Sequence, residues 1–314
     1  MLGFSNPSSL FRSRLHSVMS DLEGVREGKA DAIHDARVGT RRLRELLPLV
    51  LDDDRLQGTR RQFRRAGRVL GRTRELDVSL ELLDRAAQQV PSAGVGLETV
   101  RDDLERERSA ALRDLVKTLE QIDLKGSAGG RRTRGPRRWQ LVLARQVTAR
   151  AGRLRAAIDH AAGIPFPNRL HRVRVEVKKL RYSLELCRDL GRWNASTAIT
   201  ALRRAQDALS ELHDWQVFED RLGLSLMGAA ADEAAELRKI KRAVGQEIQR
   251  LHKQYLDMRG LLAEAERSAE RAARVAALPV PLARVAPGLI APGLALGAAK
   301  LLAPPARRIL RRAG

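Results

Sequence analysis

A single cysteine, Cys187, leaves no partner for an internal disulfide and no second thiolate for a zinc site. A reducing, cytoplasmic compartment fits that usage. Aromatic residues supply only 3% of the chain, and they are scattered, which leaves little for the stacking platforms that grip single-stranded nucleic acid. Long apolar runs are missing too. The longest uncharged apolar stretch, Val285 to Ala299, is too short to span a bilayer and is broken by Pro287 and Pro292. Met1 to Met19 carry no apolar run with a small-residue cleavage site, so no secretion signal is expected. Acid is scarce relative to base: 38 Asp and Glu face 59 Lys and Arg, a formal charge of +21 over 314 residues. A polyanionic partner is the first suspicion. Apolar residues make up 43%, enough to bury one large core or two ordinary ones, so the charge does not signal wholesale disorder. Arginine greatly outnumbers lysine, however, and the total alone is weak evidence of binding. The positions of the charges must decide.

What the sequence does have is helical spacing of apolar residues almost throughout, with no alternation long enough for a sheet, so the chain is expected to be all-α. Breakers divide the first half into stretches near 10–27, 31–51, 57–72, 74–89 and 96–122, punctuated by Gly28, Gly58, Gly71 and Pro91 to Gly96. The segment 124–136, rich in Gly and Arg, reads as a linker. The second half offers 137–162, 168–190, 194–212, 215–228 and a long 231–276, so the helix count repeats. Residues 277–314 form a tail rich in Pro, Ala and Gly that ends in Arg307-Arg308-Ile-Leu-Arg311-Arg312. It reads as a flexible extension; the alternative is a peripheral anchor to a granule or other anionic surface.

The repetition reaches individual residues. His34-Asp-Ala-Arg37-Val38-Gly-Thr-Arg41-Arg42-Leu43-Arg44 returns, 137 positions on, as His171-Arg-Val-Arg174-Val175-Glu-Val-Lys178-Lys179-Leu180-Arg181. Phe63-Arg-Arg-Ala66 and Leu70 to Val78 return 139 positions on, as Leu202-Arg-Arg-Ala205 and Leu209 to Val217. Register held over three segments argues for two related antiparallel helical bundles, 8–123 and 137–276, about a pseudo-two-fold axis.

On a helical wheel, advancing about 100° per residue puts Arg41, Arg37 and Arg44 about 20°, 60° and 80° from His34 on one side. Ala36, Leu43, Leu47 and Val50 lie opposite, as a core-facing strip. The second repeat does the same, with His171, Arg174, Lys178 and Arg181 opposed to Val173, Leu180, Leu184 and Cys187. Like charges three and four residues apart repel, by roughly 0.2–0.5 kcal/mol per pair on an isolated helix. Glu185 falls near the second stripe, about one turn on, but most of the repulsion must be relieved by another helix or a bound anion. Tyr182 projects almost over His171 and has a hydroxyl to donate to a phosphate oxygen; a packing role is the alternative. In the third helix Arg61, Arg64, Arg65, Arg68 and Arg72 gather opposite Phe63, Ala66, Val69 and Leu70, whereas Asp207 and Glu211 replace Arg68 and Arg72 in the second half. A groove between the halves should therefore be asymmetric. A merely solvated face is the competing reading of these arginines.

No histidine has a glutamate three residues before it, the spacing of di-iron bundles, and flanking cations repel a metal ion. His34 and His171 are better read as donors to an oxyanion, whose charge favours the protonated ring.

These motifs, with Leu70-Gly71-x-x-Arg74-Glu75-Leu76-Asp77-Val78 and Leu209-Ser210-Glu211-Leu212-His213-Asp214-x-x-Val217, resemble the CHAD family, the conserved-histidine alpha-helical domain, over roughly residues 8–276. The resemblance implies two four-helix bundles around a central basic cavity that binds inorganic polyphosphate. Carried over, it implies that His34, Arg37, Arg41, Arg44, His171, Arg174, Lys178 and Arg181 line the cavity. The same stripes and the third-helix positions add Arg42, Arg64, Arg68, Lys179, Tyr182 and Arg203. Ser210 and His213 depart from the glycine and asparagine frequent at those places. Many relatives carry a triphosphate tunnel domain with a Glu-x-Glu-x-Lys strand; the motif does not occur here, so the chain resembles the binding module alone.

The expected function is thus non-enzymatic capture of polyphosphate, with no cofactor, no metal and no catalytic residue, in the cytoplasm or at polyphosphate granules. Binding of RNA or DNA through the same surface is the alternative partner reading, although the stripes offer almost no aromatics or amides for bases. Cleavage of polyphosphate or triphosphate is the other. It normally needs carboxylates for Mg²⁺ and a positioned base, and Asp35, Glu75, Asp77 and Asp214 are the only acids near the motifs.

Overall fold

In the computed structural model, which describes residues 6–90, 94–124, 126, 138–161, 167–193 and 195–277, the chain starts with a well-marked helix boundary. Asn6 caps α1 (Pro7–Arg26) by accepting the Ser9 N–H at 2.9 Å, and Pro7 supplies a preset φ at the first turn. Gly28, at φ +75°, ends the helix: its N–H donates to the Val25 carbonyl and the Lys29 N–H to that of Gly24. A β-carbon there would strike Leu112. Gly191, at φ +63°, closes the later helix Pro167–Asp189 with the same pair of bonds, from Gly191 N–H to Arg188 and from Arg192 N–H to Cys187.

After α1 come, in chain order, α2 (Ala30–Val50), α3 (Asp53–Gln89), α4 (Val95–Glu120), α5 (Arg138–His160), α6 (Pro167–Asp189), α7 (Ser196–Gly228), α8 (Ala231–Asp257) and α9 (Arg259–Ala277). No strand occurs among the described residues. Helices α1 to α4 pack on one another as one antiparallel bundle; α5, α6, α7 and α9 form the second, and α8 leans from α7 onto α3 and α4. The expected linker, apart from Leu124 and Gly126, and the expected tail beyond Ala277 lie outside the described residues.

Three boundaries differ from the sequence expectation. The stretches 57–72 and 74–89 are one helix of 37 residues, about 55 Å long at 1.5 Å per residue. Gly58 and Gly71 do not break it. A glycine inside a helix costs about 1 kcal/mol relative to alanine, and tertiary packing outweighs that here. Likewise 194–212 and 215–228 are the single helix α7. Conversely the stretch 231–276 is broken at Met258, whose N–H turns back to Tyr255 and Leu256; α9 is thereby freed to close the second bundle against α5.

The apolar strips read from the wheel are core. Ala36, Leu43, Leu47, Val173, Leu180, Leu184 and Cys187 are fully buried. One hydrophobic cluster runs through both halves, joining Phe11, Leu43 and Phe63 to Leu154, Leu180, Trp215 and Tyr255. Ion pairs tie the halves together around the site: Arg14–Asp189 at 2.6 Å, Arg85–Glu211 at 2.9 Å, Arg221–Glu107 at 2.8 Å, and Arg150–Glu45. Among the described residues no helix is long and apolar enough to cross a membrane.

Candidate functional site

Where α2 and α3 of the first half face α6 and α7 of the second, a cavity of about 470 Å³ remains. Helix α2 contributes His34, Arg37, Arg41 and Arg42, and α6 contributes Arg174, Lys178, Arg181 and Tyr182. From α3 come Arg74 and Glu75; from α7 come Arg203, Gln206, Asp207, Ser210, His213 and Asp214. The apolar strips of α2 and α6 are locked in the core, and the opposite faces turn these side chains into this space. Eight guanidinium or ammonium groups thus meet three carboxylates. The excess of positive charge sits between low-dielectric walls, where interactions between charges are strongest.

That crowding marks the individual groups. Burial, then Arg174, Arg41 and Arg37, push the Lys178 ammonium down to about 6. Burial, then Arg41 and Arg174, push Arg37 down to about 10. Burial holds the Asp214 carboxyl above its ordinary range in spite of Arg174, Lys178, Arg37 and Arg74 around it. His213 is pushed down to about 4 by burial and by Arg174, His171 and Lys178. Burial and neighbouring cations likewise hold His34 and His171 below the usual imidazole range. The downward shifts of Lys178, Arg37 and the histidines say that the cavity resists further positive charge, and an oxyanion placed among them acts in the opposite direction.

Not all the lining is equally committed. Glu185, buried, gathers Arg181 at 2.9 Å, Arg42 at 3.5 Å and Arg203 at 4.0 Å. Arg181 also donates through Nε to Gln206, and Arg174 through Nε to Ser210 Oγ. Arg174 lies 3.8 Å from Asp214, too far for a hydrogen bond but close enough for attraction. Arg37 Nε, by contrast, is buried with no hydrogen-bond partner among the described residues. Tyr182 packs beneath Arg181, whose guanidinium carbon is 4.7 Å from the ring centroid.

Of the residues singled out in the sequence, His34, Arg37, Arg41, Arg42, Arg174, Lys178, Arg181, Tyr182 and Arg203 line this cavity. His171 is exposed at its edge, its ring 5.0 Å from that of His213. Arg44, Arg64 and Lys179 line a neighbouring pocket instead, and Arg68 is exposed and lines neither. Sequence reasoning quoted Arg74, Ser210, His213 and Asp214 without giving them a place in the site. The signal was available: at the 139-residue displacement Arg74 pairs with His213, Glu75 with Asp214 and Gly71 with Ser210, and all six line the cavity. Asp77, also in that motif, points away and holds Arg108 at 2.6 Å. Among the described residues no three His, Cys, Asp or Glu come together as a metal site.

The fold has solved counterparts. PptA from Streptomyces chartreusis superposes with a TM-score of 0.60 at 17% identity, covering 80% of this chain and 97% of its own. The CHAD domain from the plant Ricinus communis superposes with a TM-score of 0.51 at 22% identity, covering 89% of this chain and 94% of its own. At such identities the likeness is one of fold. A comparison with curated protein sequences gave no match. The model of the CHAD domain matches residues 9–223, a span that takes in both basic stripes and both of the motifs that follow them, and the chain therefore belongs to the CHAD family.

Proposed function

We propose that this protein binds linear inorganic polyphosphate in the cavity between its two halves and does not cleave it. The observation that carries the reading is the eight-to-three excess of cations over carboxylates in one cavity, with a buried arginine Nε left unpartnered there. Phosphates satisfy such groups with short, charge-assisted hydrogen bonds. Arginines fork two oxygens each, while Lys178 acts as a point charge and regains its proton as anionic oxygens approach. The cavity carboxylates serve the arginines: Asp214 faces Arg174, and Glu185 behind the wall orients three more. The reading places the protein with its ligand in the cytoplasm or on polyphosphate granules.

A nucleic acid offers the same phosphates but adds bases. Tyr182 is the one Phe, Trp or Tyr in the lining, and Arg181 already covers its ring, so no free face invites a base to stack. Competition at fixed salt tests the choice. Single-stranded or duplex nucleic acid at equal phosphate concentration should fail to displace long-chain polyphosphate; displacement would overturn the assignment. Phosphate release from polyphosphate with added Mg²⁺, abolished by Asp214→Asn, would overturn the non-enzymatic part.

A further inference from the structure

A second basic pocket, of about 310 Å³, lies between α2, α3, α5 and α6. Its one carboxylate, Glu45, is taken by Arg150, which also donates to the Lys179 carbonyl and to Ser183 Oγ. Lys179 is taken by Glu176 at 2.7 Å. Four lining arginines remain, Arg44, Arg60, Arg64 and Arg153, and none has a hydrogen bond or ion pair with another described residue. Arg44 Nε is moreover buried and unpartnered. Four guanidinium groups converging without a carboxylate of their own form a receptor for a multiply charged oxyanion.

The place of the pocket says which anion. Arg41 lines the central cavity and Arg44, one turn further along α2, lines this pocket; on α6 the adjacent Lys178 and Lys179 divide in the same way. The stripe from His34 to Arg44 climbs about 15 Å along one face of the helix. Arg44 feels burial first, then the fields of Glu45, Arg64, Arg41 and Arg60, so its surroundings span both basic clusters. We propose that this pocket is a second phosphate station, which takes the continuation of a polyphosphate chain already seated in the central cavity and so favours chains long enough to reach both. The inference rests on the reading of the central cavity given above.

Calorimetry at fixed salt with tripolyphosphate and with long-chain polyphosphate tests it, on the wild type and on the double variant Arg60→Gln, Arg153→Gln. Both arginines lie outside the central cavity, and circular dichroism checks that the variant is folded. The wild type should bind the long chain more tightly. The double variant should lose about tenfold or more of that affinity, as expected when two charge-assisted contacts are removed, with tripolyphosphate binding unchanged. Unchanged long-chain affinity in the variant, or equal losses for both ligands, would each overturn the second station. A wild type that binds neither ligand would instead remove the central reading itself.

Discussion

The two halves place their cations alike and satisfy them differently. Arg174, in the second half, donates through Nε to Ser210 and faces Asp214; its counterpart Arg37, beside Gly71, has a buried Nε with no hydrogen-bond partner. Arg181 is held by Gln206 and Glu185; its counterpart Arg44, beside Gly67, is again unpartnered at Nε. On α7 a hydroxyl and an amide stand where α3 has two glycines. One half therefore fixes its arginines from within, and the other leaves theirs for something from outside. Duplication preserved the positions of the charge, and later divergence distributed the work of neutralising it.

The strongest way to break this picture is to confuse its two faces. Arg41→Glu with Lys178→Glu should lower polyphosphate affinity at least a hundredfold, because each substitution removes a charge-assisted contact and sets a repelling carboxylate in its place, while far-ultraviolet ellipticity stays unchanged, because both side chains line the cavity. Leu43→Asp, one residue round the helix from Arg42, should instead unfold the molecule. Leu43 is fully buried in the cluster that runs through both halves, and an unpaired carboxylate there costs several kcal/mol. An exchange of the two outcomes, followed by ellipticity and a binding titration on each variant, would invert the assignment of inside and outside.

Lys178 sharpens the comparison through pH. Arg174, Arg41, Arg37 and Asp214 surround its ammonium, and burial with the three cations brings it to about 6; an unfolded lysine titrates near 10.4. Between those values the unfolded chain binds the extra proton, so this group makes stability rise with pH across the window and lowers it as pH falls through it. Ligand binding has the opposite slope. A polyanion raises the lysine back into its charged range, so binding takes up a proton and affinity falls as pH rises above about 6. Calorimetry in buffers of different ionisation enthalpy should register that uptake at pH 7.5, and Lys178→Gln should diminish it.

Most of this site was legible because a helix of 3.6 residues per turn fixes which side chains share a face. Leu43 and Leu180 facing inward leave Arg41 and Lys178 facing out, and no tertiary knowledge is needed. What periodicity does not supply is the neighbour opposite that face. Arg44 and Lys179 are on the expected side of their helices, yet α5 brings Gln146, Arg150 and Arg153 up to them and makes a separate pocket. Arg74 and His213 escaped notice for a related reason: each sits in a motif whose leucines explain a helix, and only the pairing of the two across the repeat marks them as facing one space. Gly71 misled as a breaker because a glycine's cost is local, whereas its benefit, close approach to Arg37, lies on another helix.

That glycine gives the smallest and most direct test of the asymmetry. A β-carbon at Gly71 would stand 3.8 Å from Arg37 Nε, ordinary contact distance, with nothing closer. Gly71→Ser would give Arg37 the hydroxyl that Arg174 has in Ser210. Replacing a mid-helix glycine gains a few tenths of a kcal/mol from propensity, and the new hydrogen bond adds about 1 kcal/mol, so urea should unfold the variant at a higher midpoint. The same bond must be loosened or shared when phosphate arrives, so affinity should drop by a few-fold. Ser210→Gly should do the reverse, lowering the midpoint and freeing Arg174 for the ligand. If both substitutions shift stability but neither shifts affinity, Arg37 is not gripping the anion through Nε, and the difference between the halves concerns folding alone.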